Sequence, residues 1–203
     1  MRRLLTYRFI IINAIMKYKD EHELQYAYGR IHRFFDAFGL PGAVEYTETI
    51  IEAAASLRLW KHSQPYGLLF FMENMEDLLA AAYQLNDCYE KEKKVIITAE
   101  ENETPDMTDV KMYTTKYCRD QSWENFPRTL TASQFYNPYR AIEKCCGKLT
   151  KKDWKKFLGD LTEYALDSRD TINDVSPGYN LFKMRRRMLR LIEGCYLVHI
   201  RIS

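Results

Sequence analysis

Residues 66–92 read YGLLFFMENMEDLLAAAYQLNDCYEKE. Leu68, Phe71, Met72, Met75, Leu78, Leu79, Ala82, Leu85 and Tyr89 recur at three- and four-residue steps. That spacing predicts one apolar face of a helix roughly seven turns long. Glu73, Glu76, Asp77, Gln84 and Asp87 fall on the opposite face. Leu69 and Phe70 break the pattern, which predicts burial on more than one side at that end. Ser63 or Gln64 is the candidate N-cap, and Pro65 suits a first helical turn. An apolar face of this length requires partners, and the flanking segments have the composition to supply them.

Upstream, Asp20 and Glu23 form a capping-box-like start. Leu24, Ala27, Tyr28, Ile31, Phe34, Phe35 and Phe38 then share one face. Gly39-Leu40-Pro41-Gly42 is expected to end that helix and reverse the chain. From Ala43 to about Lys61, Tyr46, Ile50, Ala53, Ala54, Leu57 and Trp60 form a core face opposite Glu45, Glu48 and Glu52. Residues 20–92 therefore predict three packed helices. Residues 4–18 are ambiguous. Tyr7, Phe9 and Ile11 alternate as in a strand and Ile10, Ile11 and Ile12 favour β structure, whereas the helical neighbourhood favours a deeply buried helix. Arg2 and Arg3 before this apolar run look like the start of a signal peptide, but Arg8 interrupts it and no small-residue cleavage site follows Met16. The run is too short to span a bilayer. The expectation is buried structure, no membrane association and a cytoplasmic protein.

Downstream, Lys91 to Lys94 read as a solvated helix end, and Val95-Ile96-Ile97 as a short strand or an apolar plug. Residues 100–109 are acidic, contain Pro105 and have little to bury. The expected organisation is a helical half at 1–92 built on the main core helix 66–92, a mobile acidic linker or loop at 93–110, and a second helical half at 111–203. One compact domain is the alternative. Within the second half a short helix is expected at Val110–Cys118. A loop anchored by Trp123 and Phe126 follows. A helix then runs from Asn137-Pro138 to Gly147. Thr150 and Asp153 open the next one, whose apolar face is Trp154, Phe157, Leu158, Leu161, Tyr164 and Ala165. The last runs from Tyr179 to about Ile200. The fold class is all-α, a bundle of about six or seven helices. Eight glycines and six prolines in 203 residues are too few for the many tight turns of an all-β chain.

Composition narrows function by exclusion. A net charge of +2 rules out a global electrostatic footprint, so any anion site has to be local. The five cysteines, Cys88, Cys118, Cys145, Cys146 and Cys195, include no C-x-x-C pair and read as reduced intracellular thiols. There is no glycine-rich phosphate loop, nucleophile elbow or H-E-x-x-H motif. No cofactor or metal is expected. His32 and Asp36, one helical turn apart, read as a surface pair, and His199 as a satisfied core histidine. The carboxylate stripes, Glu48 with Glu52 and Glu73 with Glu76 and Asp77, read as solvated faces.

Two clusters carry candidate chemistry. On the last helix Lys183, Arg186, Arg187 and Arg190 share one face, a geometry that can grip phosphates with little sequence preference. Lys151, Lys152, Lys155 and Lys156 begin another basic helix, and it makes a patch with this one if the two faces align, with Lys152 and Lys155 the candidates there. The competing reading is a solvated face balanced by Glu193, Asp160 and Glu163. Arg185 lies beside the apolar face and is expected to pair with a carboxylate. The second cluster is Arg58 and His62, four residues apart, where an arginine and a histidine can stabilise and protonate a scissile phosphodiester. This pair resembles the R-x4-6-H motif of HEPN-type RNases, which are also helical bundles. The resemblance implies a metal-independent RNase. It departs from the motif in its R-x3-H spacing and in the Ser63-Gln64-Pro65 that follows.

The leading functional expectation is a non-catalytic interaction or regulatory protein that binds a protein partner or a second copy of itself. Exposed aromatics such as Trp123 and Phe126 are the expected contacts. The alternatives are a nucleic-acid-binding protein using the basic face of the last helix, and an RNase centred on Arg58 and His62.

Overall fold

The structure, a computed structural model, describes residues 2–56, 59–88, 95–97, 106–114, 123–167, 171–172 and 180–202, and for residues 2–21 the backbone alone. Among the described residues six α-helices follow one another: α1 (Arg2–Ala55), α2 (Pro65–Asp87), α3 (Ala132–Tyr136), α4 (Tyr139–Cys146), α5 (Lys151–Leu166) and α6 (Leu181–Ile202). Short 3-10 turns occupy Val110–Met112 and Trp123–Asn125. The described residues contain no strand, so the chain is all-α. Residues 4–18 are helical, within the first part of α1.

Gly39 does not reverse the chain. It is the one non-helical residue inside α1, at φ 61° and ψ 177°, and Pro41 falls in the first turn of the second limb. Both limbs lie antiparallel along α6. His32 meets His199, Phe35 meets Tyr196, and Glu48 meets Arg185. The glycine and proline chemistry is that of a helix stop, but one bent residue joins two helices that share a partner. Three helices along 20–92 are recovered, the first two in line rather than folded back.

The predicted face of α2 is buried from Leu68 through Leu85, with Leu68, Phe71, Met75, Leu78 and Leu85 inaccessible to solvent. Each such side chain contributes about 1.5–3 kcal/mol relative to exposure. Phe71 sits among Phe34, Phe38 and Tyr46 of α1, its ring stacked on Tyr46 at 4.9 Å. Helix α2 ends at Asp87 with Cys88 as C-cap, and Gln64 is the N-cap without a side-chain bond. Tyr89 lies outside the described residues. The start of α2 corrects the expectation for Leu69 and Phe70: both are exposed, and Tyr66 stacks on Phe70 outside the core.

The most enclosed element is α6, whose residues from Leu191 through Val198 are all buried. Helix α1 covers one side and α4 another, while Leu197 packs into a second cluster with Tyr113 and Phe135. The main hydrophobic cluster takes residues from both sides of the 93–110 stretch. Val95 is a buried plug, and its carbonyl accepts from Arg201 Nη1 at 3.0 Å. The expected Thr150–Asp153 capping box forms at α5, with Thr150 Oγ1 donating to Asp153 Oδ2 at 2.7 Å. Helix α3 was not anticipated. The expected helix at Val110–Cys118 is a 3-10 turn over Val110–Met112, and residues 115–122 lie outside the described set.

Candidate functional site: a cationic cavity between α4 and α6

Helix α4 turns Tyr139, Ala141, Ile142, Cys145 and Cys146 inward and leaves Lys144 at its edge, with Lys148 just beyond its Gly147 cap. It can approach α6 closely because position 194 is glycine. A Cβ there would lie 3.1 Å from Ala141 Cβ and 3.5 Å from the Pro138 carbonyl oxygen. Beside this crossing is a cavity of about 210 Å³, lined by Gln134, Ala141, Lys144, Cys145, Lys148, Lys183, Arg186, Arg187 and Arg190. All four candidate cations of the last helix therefore line one space. Two lysines that sequence reasoning missed, Lys144 and Lys148, join them.

None of these six cations pairs with a carboxylate among the described residues. Glu193, expected to balance them from a solvated face, is only 3% exposed and points into a different network. Its carboxylate accepts from the Arg128 and Thr129 backbone N–H groups at 2.9 and 2.8 Å and from Thr129 Oγ1 at 2.6 Å. Burial raises the Glu193 pKa, opposed by the bonds from Thr129, Arg128 and Leu130. The Thr129 carbonyl in turn accepts from Arg190 Nε at 3.1 Å, which fixes one guanidinium at the cavity wall.

Gln134 is 4% exposed. The Thr131 backbone N–H donates to its Oε1 at 3.1 Å, which settles which end of the amide is oxygen, since an N–H can only donate. Its Nε2 has no hydrogen-bond partner among the described residues. Cys145 also faces the cavity. Burial pushes its thiol up to about 11, although Arg190, Arg187 and Lys144 pull the other way. A thiol held protonated is a poor nucleophile.

The other candidates lie elsewhere. Lys155 Nζ stands 3.4 Å from Glu76 Oε2 and lines a separate hollow with Trp154 and Tyr83, and Lys152 is exposed on α5 outside the cavity lining. The basic face that completes the patch comes from α4 instead of α5. Arg58 lies outside the described residues. His62 Nδ1 is 3.6 Å from Glu45 Oε1, with its ring against Tyr46 and Trp60. Arg185 forms a two-pronged pair with Glu48, so that carboxylate is not simply solvated. Nor is Asp77 or Glu76 alone: Arg30 stands 3.7 Å from Asp77, and Lys155 answers Glu76. Trp123 is 59% exposed, whereas Phe126 packs against the second cluster.

No family model matches this chain, and no curated protein and no solved structure matches it.

Proposed function

We propose that this is a non-catalytic binding protein whose α4–α6 cavity holds the phosphates of a nucleic acid. The observation that carries the reading is the set of six cations around one concavity with no carboxylate partner among the described residues. Like charges gathered this way repel one another, and a bound polyanion relieves the repulsion. The lining supports binding over chemistry: it includes neither histidine nor carboxylate, and its thiol is held protonated. The test is fluorescence anisotropy with labelled single- and double-stranded oligonucleotides over a salt series. Binding should weaken with salt, with a log–log slope no steeper than about −4 for a single strand if all six cations meet phosphates. Lys183→Glu with Arg186→Glu, both exposed, should abolish it. Absence of binding at low salt rejects the reading.

A protein partner, in the form of a second copy, is the other reading. It is favoured by Phe182, 84% exposed beside a hollow of about 620 Å³ formed with Ile51, Ala55 and Leu181. Phe182→Ser should then shift a sedimenting dimer to monomer. A wild-type chain that sediments as a monomer at high concentration rejects it.

A further inference from the structure

The size of the cavity and its one neutral donor say which phosphate it takes. A nucleic-acid backbone phosphate is a diester, flanked by sugars on both sides, and meets proteins across open surfaces. The space here is about 210 Å³, below the roughly 300–1,000 Å³ of pockets that hold drug-sized ligands. A space of that size suits a compact anion such as a phosphate group. The end of a strand presents its phosphate with a sugar on one side only, and so reaches furthest into such a space. A terminal phosphomonoester also carries about −1.5 to −2 charge and three free acceptor oxygens at neutral pH, more than a diester offers.

Gln134 adds direction to this charge. Its oxygen is held by Thr131, so the amide of this nearly buried side chain turns its NH2 away from that bond, open to the cavity and without a partner among the described residues. Non-specific attraction to a polyanion needs no such group. A fixed neutral donor beside the cations is suited to one defined oxygen.

We infer that the α4–α6 cavity binds the terminal phosphomonoester of a nucleic-acid strand, with Gln134 Nε2 donating to a phosphate oxygen among Lys144, Lys148, Lys183, Arg186, Arg187 and Arg190. This rests on the reading of the cavity as a nucleic-acid phosphate site. The shared chemistry is the monoester, and the strand end that supplies it is read from the experiment.

The experiment uses one labelled single strand in three forms: 5′-phosphate, 3′-phosphate and hydroxyl at both ends. Affinity for the full chain is measured by anisotropy at near-physiological salt. At least one phosphorylated form should bind about tenfold or more tighter than the hydroxyl form, a difference of about 1.4 kcal/mol. The tighter of the two identifies the end. Gln134→Glu keeps an oxygen for the Thr131 N–H and exchanges the NH2 for a second oxygen, so the preference should vanish. Lys148→Gln, at an exposed position, should reduce it without disturbing the fold. Equal binding of all three forms overturns the inference and leaves backbone binding standing. Binding of none overturns both. A preference that survives Gln134→Glu in a folded variant removes Gln134 from the site.

Discussion

His32 and His199 meet across the α1–α6 seam with their Nδ1 atoms 2.6 Å apart. At that distance one nitrogen donates and the other accepts, so the pair holds a single proton between the two Nδ1 atoms. Phe35 and Tyr196 pack around it. Burial drives His199 from the usual 6.5 to about 4, the neighbouring His32 adds to the shift, and Asp36 opposes it. The unfolded chain takes up its proton near the ordinary histidine value and the folded chain only near 4. Unfolding therefore takes up a proton in between, and stability falls as pH drops through that window. Melting temperature should decline from pH 7 to pH 5. His199→Gln, which keeps an acceptor for His32 but does not titrate, should show a flatter profile. An equal slope in the variant would remove the pair as the cause.

Gly39 is the hinge that lets two limbs of α1 share α6. Its φ of 61° with ψ of 177° lies in a region open essentially to glycine alone. Space is not the obstacle, since a Cβ would meet only Pro41 Cδ at 3.8 Å. Gly39→Ala should therefore cost about 1–3 kcal/mol through backbone strain, read as a lower urea midpoint with an unchanged slope. Gly29, helical with open space around it, is the matched control: Gly29→Ala should gain up to about 1 kcal/mol from helix propensity.

Glu193 holds the segment 128–130 against α6 by accepting two backbone N–H groups and a hydroxyl. Its raised pKa shows that burying the charge costs more than these bonds return in that titration. The folded chain keeps the Glu193 proton at pH values where the unfolded chain has released it. This group therefore lowers stability as pH rises through its window, opposite to His199. Glu193→Gln retains one accepting oxygen and turns an NH2 against an N–H donor. It should cost about 1–3 kcal/mol by urea denaturation. Because Arg190 bonds the Thr129 carbonyl, it should also loosen that wall of the cavity. An unchanged midpoint would show that the segment holds without its buried carboxylate.

What could be read from the sequence was what neighbouring residues decide. The periodicity of Leu68 to Leu85 fixed α2, and Thr150 with Asp153 fixed the start of α5, because a helix face and a cap are local. The four cations of α6 were visible for the same reason. What lies around them was not. Lys152 and Lys155 are lysines of an amphipathic helix just as Lys144 is, but α5 packs on α1 and α2 whereas α4 packs on α6, with Gly194 against Ala141 at the crossing. Glu193 looked like a surface counter-charge because its partners at 128–130 lie more than 60 residues away. Gly39-Leu40-Pro41-Gly42 satisfies the chemistry of a stop and of a bend equally, and the shared partner α6 selects the bend. Leu69 and Phe70 were expected inside because they are apolar, but both stay exposed, Phe70 reaching only the edge of the core at Phe38, 5.7 Å away.

The α4–α6 crossing offers the most direct link between packing and the cavity. At Gly194 two terms oppose. Alanine gains about 1 kcal/mol of helix propensity over glycine, while its Cβ, 3.1 Å from Ala141 Cβ, forces the helices apart by a few tenths of an ångström. Overpacking costs about 1–3 kcal/mol, so Gly194→Ala should be neutral to mildly destabilising. Gly194→Leu gains a similar propensity but adds far more atoms at the crossing, so it should be severely destabilising. Ala141→Gly removes the opposing methyl, so Gly194→Ala should be better tolerated in that background, a coupling that a double-mutant cycle measures. The same wedge moves Lys144 and Lys148 away from Lys183 and Arg186. Gly194→Ala should therefore weaken oligonucleotide binding more than it lowers the melting temperature. Affinity that tracks stability one for one across the four variants would show that the spacing of the two basic faces does not set the site.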